Sequence, residues 1–124
     1  MTRINVVHQS ELTDKHLLAE YRELPRVFTL IEKWQARGCP ARGVSEYRMG
    51  PGHVMFFYDK AMWLALRFEE LVTEMERRGF KPLWKSQMHR VKKIGYKGQA
   101  DSLYAPRIKD ILVNRQRIAE SLKR

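Results

Sequence analysis

The stretch SELTDKHLLAEYRELPRVFTLIEKW, residues 10–34, carries the clearest structural signal in the chain. Its apolar residues recur at steps of four and three, the spacing of one face of an amphipathic helix; they are Leu17, Tyr21, Leu24, Phe28 and Ile31. Ser10 is the expected N-cap, with Asp14 near the first turn. Gly38 and Pro40 are expected to end the helix. The pattern predicts a long first helix that places one stripe in a core.

The other side of this helix is basic. Its cationic residues are Lys15, Arg22, Arg26 and Lys33. Pro25 lies inside the helix and is expected to remove a backbone hydrogen bond and kink it. Glu23 projects between the stripe and the basic side, where two interpretations are open. It is either a solvated charge in a surface ion pair with an arginine, which contributes little stability, or a functional acid in a basic groove.

Two more main helices are expected. The second runs through AMWLALRFEELVTEMERRGF, residues 61–80, with Gly79 as its stop signal and a stripe of Leu64, Phe68, Leu71 and Met75. The last begins near Pro106, and its apolar side is Ile108, Ile111, Leu112, Ile118 and Leu122. Residues 38–53 and 80–104 are predicted to be irregular. Because no segment alternates like a strand, the sequence predicts an all-α protein, one compact domain over residues 1–124.

Composition limits the partners. A net charge of +10 and a pI near 10.0 draw a protein to polyanions, either nucleic acid or an anionic membrane. No apolar run is long enough to span a bilayer, and the last helix lacks an aromatic membrane anchor, so no membrane partner is expected. Cys39 is the single cysteine and the four histidines are scattered, so we expect no disulfide, no metal site and a cytosolic protein.

Residues 80–104 mix basic and aromatic side chains. The basic residues are Lys81, Lys85, Arg90, Lys92, Lys93 and Lys97, and the aromatic residues among them are Trp84 and Tyr96. Basic groups hold phosphates while aromatic rings stack on exposed bases. The alternative is a solvated loop whose Trp84 docks into the core. The sequence alone favours neither interpretation.

Several segments together resemble a known family. They are MTRIN at residues 1–5, SELTDKHLLAEYRELPRVF at 10–28, GHVMFFYDK at 52–60, RRGF at 77–80 and, more weakly, YAPRI at 104–108 with Arg117. In this order they resemble the pyrimidine-dimer DNA glycosylase/AP lyase family known from T-even phage. The resemblance implies a compact three-helix protein whose N-terminal segment threads between helices. It also implies an enzyme with no metal or organic cofactor.

The resemblance also implies the residues of the site. The nucleophile would be the α-amine of Thr2, exposed when Met1 is removed, and the essential carboxylate would be Glu23. The DNA-binding or supporting positions would be Arg3, His16, Arg22, Arg26 and Arg117. The expected partner is double-stranded DNA containing damaged bases or abasic sites. We expect a monomer in the cytoplasm, at the nucleoid of a phage, virus or bacterial host.

This chemistry suits an N-terminal amine. Its pKa of about 7.7–8.0, against about 10.4 for lysine, leaves it neutral and nucleophilic far more often near neutral pH, and nearby arginines favour the neutral form further. Attack on the sugar C1′ expels the base and leaves an imine between enzyme and DNA. The imine acidifies the C2′ hydrogens, so β-elimination can cut the strand without a metal. A carboxylate assists the proton transfers and stabilises the cationic sugar.

Two departures from the family pattern leave alternatives open. Phage-type members carry an aromatic-rich C-terminal tail that this sequence lacks, and Lys15 stands where they have glutamine. We therefore expect dimers to be cut with less discrimination, and a glycosylase for another damaged base or for abasic sites is an alternative. A non-catalytic basic DNA-binding protein is the alternative of another class. Such a binder needs neither a free amine at Thr2 nor an acid at Glu23.

Overall fold

Four α-helices account for most of the ordered backbone in this computed structural model, which describes residues 3–38, 46–95 and 104–123. They are α1 (Asp14–Ala36), α2 (Ala61–Arg77), α3 (Met88–Ile94) and α4 (Ile108–Leu122). One-turn 3-10 helices precede α1 and α2, at Gln9–Glu11 and Met55–Phe57. Within the described ranges there is no strand. The predicted all-α class is confirmed, with α1, α2 and α4 as the three main helices.

The first helix begins three residues later than predicted. Thr13 is its N-cap, and the Thr13 hydroxyl accepts a hydrogen bond from the His16 amide at 3.3 Å. Ser10 lies in the 3-10 helix instead, so its prediction as N-cap was wrong. Both residues have the chemistry of a cap, but Ser10 lies inside the turn at residues 9–11, where the His8 side chain is the cap and accepts from the Ser10 amide at 3.2 Å. At the other end, Gly38 takes φ +82°, a conformation that glycine adopts without a steric penalty, and this confirms the predicted stop.

The core forms where α1 meets α2. Every residue of the α2 stripe is buried, and so are Leu17, Leu24, Phe28 and Ile31 of α1. Tyr21 is half-buried and stacks on Phe68, with ring centroids 5.1 Å apart. Burying one such side chain contributes about 1.5–3 kcal/mol, so these two stripes supply much of the folding free energy. The helix α1 continues past Pro25, and the kink expected there stays a prediction.

The N-terminal segment, residues 3–7, lies between the helices. Ile4, Asn5, Val6 and Val7 are all buried. The Asn114 Oδ1 atom on α4 accepts hydrogen bonds from the Val6 and Val7 amides, at 2.7 and 3.1 Å. Asn114 also donates to Asn5 at 2.7 Å. The segment therefore threads between helices, as the resemblance implies, and side chains rather than a neighbouring strand satisfy its backbone.

Residues 80–104 are less irregular than predicted. They include the seven-residue helix α3, which packs against α1 and α2 and buries Val91. A helix of two turns with one fully buried residue gives no usable apolar period, which explains the wrong prediction. Residues 96–103, together with Pro40 and the other residues of 39–45, lie outside the described residues.

The predicted apolar side of the last helix is correct at Ile111 and Ile118, which pack against the core, and wrong at its other three residues. Ile108, Leu112 and Leu122 are 79%, 57% and 54% exposed. The buried side of α4 centres on Asp110 and Asn114, with Ile111 and Ile118 partly buried. The reason is that these inward positions meet polar groups: Asn114 binds the N-terminal segment, and Asp110 accepts from the Tyr104 hydroxyl at 3.2 Å. Pro106 precedes Arg107, the N-cap, and Asp110 accepts from the Arg107 amide at 3.1 Å. None of the helices in the described part of the chain is long and apolar enough to cross a membrane.

We predict that Asn114→Ala destabilises the fold strongly. The change removes the acceptor of two buried amides, and each unsatisfied buried donor costs about 1–3 kcal/mol. Urea denaturation should show a lower free energy of unfolding. Gln116→Ala, an exposed position on the same helix, is the control and should change that free energy by less than about 0.5 kcal/mol. Equal effects of the two substitutions would contradict the role given to Asn114.

Candidate active site

The start of the chain reaches a carboxylate on α1. The Arg3 amide donates a hydrogen bond to Glu23 Oε1 at 3.1 Å. Glu23 is half-buried and opens on a small cleft of ≈ 160 Å³. The cleft is lined by Arg3, Asn5, Lys15, His16, Ala19, Glu20, Glu23 and Ser121. Three of the predicted site residues, Arg3, His16 and Glu23, are thus brought together. Thr2, the predicted nucleophile, lies outside the described residues.

His16 bridges the first turn of α1 to the end of α4. Its Nδ1 lies 2.9 Å from the Thr13 hydroxyl, and its Nε2 lies 3.2 Å from the Ser121 hydroxyl. Burial lowers the pKa of His16, and the positive charges of Lys15 and Arg3 lower it further. A neutral imidazole is therefore favoured at neutral pH, which suits a hydrogen-bonding bridge better than a phosphate-binding cation.

Behind the cleft lies a buried ion pair that the sequence analysis missed. Arg67 on α2 donates to both oxygens of Glu20, at 2.8 and 3.1 Å, and to the Val7 carbonyl at 2.8 Å. Glu20 also accepts from the Asn5 side chain at 2.8 Å. Burial alone would lower the pKa of Arg67, but the charge and hydrogen bonds of Glu20 outweigh it, and the pKa is raised. Arg67 therefore stays charged.

A signal for this pair was present in the sequence. Glu20 follows Leu17 by three positions and precedes Leu24 by four, so it falls within the buried stripe of α1. Arg67 stands in the same relation to Leu64 and Leu71 on α2. A charge in the register of a buried stripe needs a partner, since isolated buried charges are costly. Two such charges of opposite sign on adjacent helices predict a pair.

The predicted DNA-binding arginines divide into two groups. Arg22 and Arg26 are exposed, one turn apart on α1, and neither lines the Glu23 cleft. Arg117 lies on α4 between Asn114 and Ser121, which contact the cleft residues Asn5 and His16. Its Nε is buried and has no hydrogen-bond partner in the described ranges, and its Nη1 lies 3.8 Å from Glu120. Arg117 thus borders the cleft without lining it.

Arg22 lines a second, larger cleft. Its volume is ≈ 560 Å³, and its other lining residues are Tyr21, Pro25, Phe68, Leu83, Trp84, Gln87, His89 and Arg90. Trp84 is 63% exposed, so the interpretation in which it docks into the core is wrong. The Tyr21 hydroxyl donates to the Trp84 carbonyl and accepts from the Trp84 amide, both at 2.9 Å. These bonds hold the backbone of Trp84 beside α1 while its indole faces outward.

Some cations of this region are paired with acids. Lys85 contacts Glu76 at 3.2 Å, and Arg90 and Lys93 contact Glu32 at 2.8 and 3.1 Å. Tyr96 and Lys97 lie outside the described residues. In the described ranges, no three side chains of the His, Cys, Asp or Glu type come together as a metal site.

Comparison with known protein families assigns the chain to one of them. The model of the pyrimidine dimer DNA glycosylase family matches residues 1–88, which is more than half of the 124-residue chain. The matched part includes the N-terminal segment, all of α1 and α2, and Glu23 with its cleft partners Arg3 and His16. The chain belongs to the pyrimidine dimer DNA glycosylase family.

Proposed function

We propose that this protein excises the damaged base at pyrimidine dimers in duplex DNA through an imine on its N-terminal α-amine, and then nicks the strand by β-elimination. The observation that carries the proposal is the hydrogen bond from the Arg3 amide to Glu23. The Arg3 nitrogen is bonded to the carbonyl carbon of residue 2. An α-amine on Thr2, freed by removal of Met1, is therefore separated from a Glu23-bound N–H by one residue's Cα and carbonyl carbon only.

The charges of the cleft act on the amine in both directions. Arg3 and Lys15 line it, and their positive charges disfavour protonation of an amine beside them, whereas the negative charge of Glu23 favours it. The α-amine begins with a pKa of about 7.7–8.0, so a small downward shift makes it largely neutral at physiological pH. A lysine would need a shift of about three units to do the same. This difference favours the chain terminus over the lysines as the nucleophile.

The first step joins enzyme and DNA. The amine nitrogen forms a bond to C1′ as the bond from C1′ to the base breaks, and the base leaves with that electron pair and gains a proton. The amine loses one of its two protons, the C1′–O4′ bond opens as the nitrogen lone pair forms a double bond to C1′, and O4′ gains a proton, which leaves an iminium at C1′. We assign the exchange of these protons to Glu23. The negative charge of Glu23 also stabilises the positive charge that develops on the sugar.

The second step cuts the strand. A base removes a proton from C2′, and the electron pair of the C2′–H bond forms a double bond to C3′. The bond from C3′ to the phosphate oxygen breaks, and the phosphate leaves with its electron pair. The iminium withdraws electron density from C2′, and this withdrawal makes the proton acidic. Water then releases the sugar from the amine, so the enzyme is regenerated.

The exposed arginines supply the contact with DNA. Arg22 and Arg26 project from one side of α1, next to the residue that carries the catalytic carboxylate. In the same region Trp84 presents an exposed indole beside Arg22. Phosphate contacts from arginine set the register of the duplex, while an aromatic ring stacks on a base of any identity. We assign this surface to the DNA next to the lesion.

The decisive experiment is borohydride trapping. We predict that the mature protein begins at Thr2 and forms a covalent adduct with abasic duplex DNA under borohydride, because reduction fixes the imine. Intact mass and peptide mapping should place the adduct on the Thr2 amine. Protein that retains Met1 is the matched control and should trap far less, since its amine lies one residue further from Glu23. An adduct on a lysine, or none with Met1 removed, would refute the mechanism.

The same protein should nick duplex containing cyclobutane dimers, and abasic duplex as well, but not undamaged duplex. Brisk cutting of abasic sites with none at dimers would instead favour a lyase or a glycosylase for another base. Binding to all three duplexes with no nicking and no trapped adduct would make the protein a non-catalytic DNA binder.

We predict that Glu23→Gln slows base excision and strand cleavage by roughly 10²–10⁴-fold, because the amide cannot exchange protons or balance positive charge. Affinity for DNA should be unchanged or higher, since a negative charge is removed from a polyanion site. Single-turnover rates and binding isotherms measure the two effects separately. Glu70→Gln, an exposed acid on α2, is the control and should alter neither. Wild-type rates in Glu23→Gln would rule out this role.

We predict that Arg26→Gln weakens binding to damaged and undamaged duplex alike and flattens the log–log salt dependence by about 0.9, the value of one phosphate contact. Isotherms between about 50 and 200 mM salt provide the slope. Arg37→Gln removes the same charge from the exposed end of α1 and should leave the slope unchanged. Identical slopes for all three proteins would move the DNA surface away from Arg26.

A further inference from the structure

Two buried side chains hold the peptide groups of Ile4. The His53 Nε2 accepts a hydrogen bond from the Ile4 amide at 2.8 Å, and the Tyr47 hydroxyl donates to the Ile4 carbonyl at 2.9 Å. Both residues precede α2, and both are buried, at 5% and 4% exposure. Neither residue takes part in the proposed reaction steps. Their contacts fall on the residue next to Arg3, whose own amide contacts Glu23.

We propose that His53 and Tyr47 are positioning residues, which fix the Ile4 peptide groups and thereby set where the N-terminal amine lies relative to Glu23. This inference rests on the proposed function, in which that amine is the nucleophile. It adds residues that touch neither substrate nor the reacting atoms, and that act through the backbone of Arg3 and Ile4.

The geometry gives the segment two anchors in succession. The Arg3 amide donates to Glu23 on α1, and the next amide, that of Ile4, donates to His53, which precedes α2. Consecutive amides held by different elements restrict both the position and the rotation of the chain between them. Among the described residues no strand pairs with this segment, so side chains alone fix it. Placement of this precision is what a reacting group requires.

The ring of His53 is itself held on several sides. Its Nδ1 lies 2.7 Å from the Arg48 carbonyl, which can only accept a hydrogen bond. Tyr47 and Phe57 pack edge-on against the ring, with centroids 5.5 and 5.9 Å away. The imidazole therefore cannot turn without losing the Arg48 bond and these ring contacts. A rigid acceptor gives the Ile4 amide one position.

The tautomer follows from these partners. Since Nδ1 carries the proton donated to Arg48, Nε2 has the lone pair that accepts from Ile4. An imidazolium would carry a proton on both nitrogens and could not accept. Burial lowers the pKa of His53, and the positive charge of Arg3 lowers it further. The hydrogen bond to the Arg48 carbonyl acts in the opposite direction and raises that pKa. Tyr47 faces the same ring and stays neutral, because burial raises the pKa of its hydroxyl.

A matched pair of substitutions tests the acceptor. In His53→Gln the amide oxygen can reach the position of Nε2, whereas in His53→Asn the shorter side chain reaches only the position of Nδ1. Single-turnover borohydride trapping at saturating enzyme measures the chemical step, and binding isotherms measure affinity. We expect His53→Asn to trap about 10²-fold more slowly, as a misplacement of about 1 Å can cause. His53→Gln should stay within a few-fold of wild type, and all three proteins should bind DNA equally well.

The pH dependence gives a readout that a purely structural role would not move. The ratio of the wild-type rate to the His53→Gln rate cancels the titration of the amine, which both proteins share. Protonation of His53 destroys the acceptor in wild type only. The ratio should therefore fall as pH is lowered from about 7.5 through the lowered pKa of His53, below its ordinary value of about 6.5. A ratio independent of pH would overturn the inference.

The remaining outcomes separate this inference from the proposed function. Wild type that forms no imine refutes both. Wild type that traps through Thr2, with His53→Asn at the same rate, refutes the positioning role alone. Equal slowing of the Gln and Asn variants would also refute it, because the acceptor would then be immaterial. If His53→Asn fails to fold, Tyr47→Phe keeps the aromatic packing, removes the bond to the Ile4 carbonyl, and should slow trapping with affinity unchanged.

Discussion

The buried ion pair of Glu20 and Arg67 is the interaction on which the arrangement of the N-terminal segment depends. Removing two charges from water costs several kcal/mol for each, and their mutual attraction repays this only when further hydrogen bonds are made. Here those bonds go to the Asn5 side chain and the Val7 carbonyl. Two apolar residues could fill the same space between α1 and α2, but they would leave both groups of the segment unsatisfied. The pair therefore ties the packing of the two longest helices to one path of the chain's first residues.

The same pair bears on the chemistry through the charges around the cleft. Glu20 is paired with Arg67 inside the protein, and Glu23 is the carboxylate that accepts a hydrogen bond from the Arg3 amide. The net charge of +10 acts at longer range and draws the duplex to the protein, although salt screens it beyond about 10 Å at 0.1 M. In the proposed mechanism, affinity and reactivity come from different groups. Exposed arginines on one side of α1 would provide the affinity for DNA, and the half-buried Glu23 on the adjacent side would provide the reactivity.

The sequence was sufficient where packing is apolar and insufficient where it is polar. The stripes of α1 and α2 were predicted correctly, because helices that pack on each other through leucine and phenylalanine show a regular apolar period. The buried side of the last helix was predicted wrongly in part, since Asp110 and Asn114 face inward and Ile108 and Leu112 face outward. An apolar period assumes an apolar partner, and the partner of α4 is the backbone of the N-terminal segment. The residues of the site came from the family resemblance, and the fold places Arg3, His16 and Glu23 in one cleft. Nothing in local spacing points to His53, because its partner is an amide far away in the sequence.

The proposed nucleophile is at the end of the chain, and in this fold side chains hold the segment that follows it. Chain ends fray unless other elements hold them, and a reacting amine tolerates little freedom. A paired strand could hold the segment, but its ladder would occupy the backbone groups along one edge and leave less room for a substrate there. Here the anchors come from four parts of the chain: Glu20 and Glu23 from α1, Tyr47 and His53 from the residues before α2, Arg67 from α2, and Asn114 from α4. The geometry at Glu23 is consequently a property of the whole fold, and substitutions far from it in sequence can alter the chemistry without touching DNA.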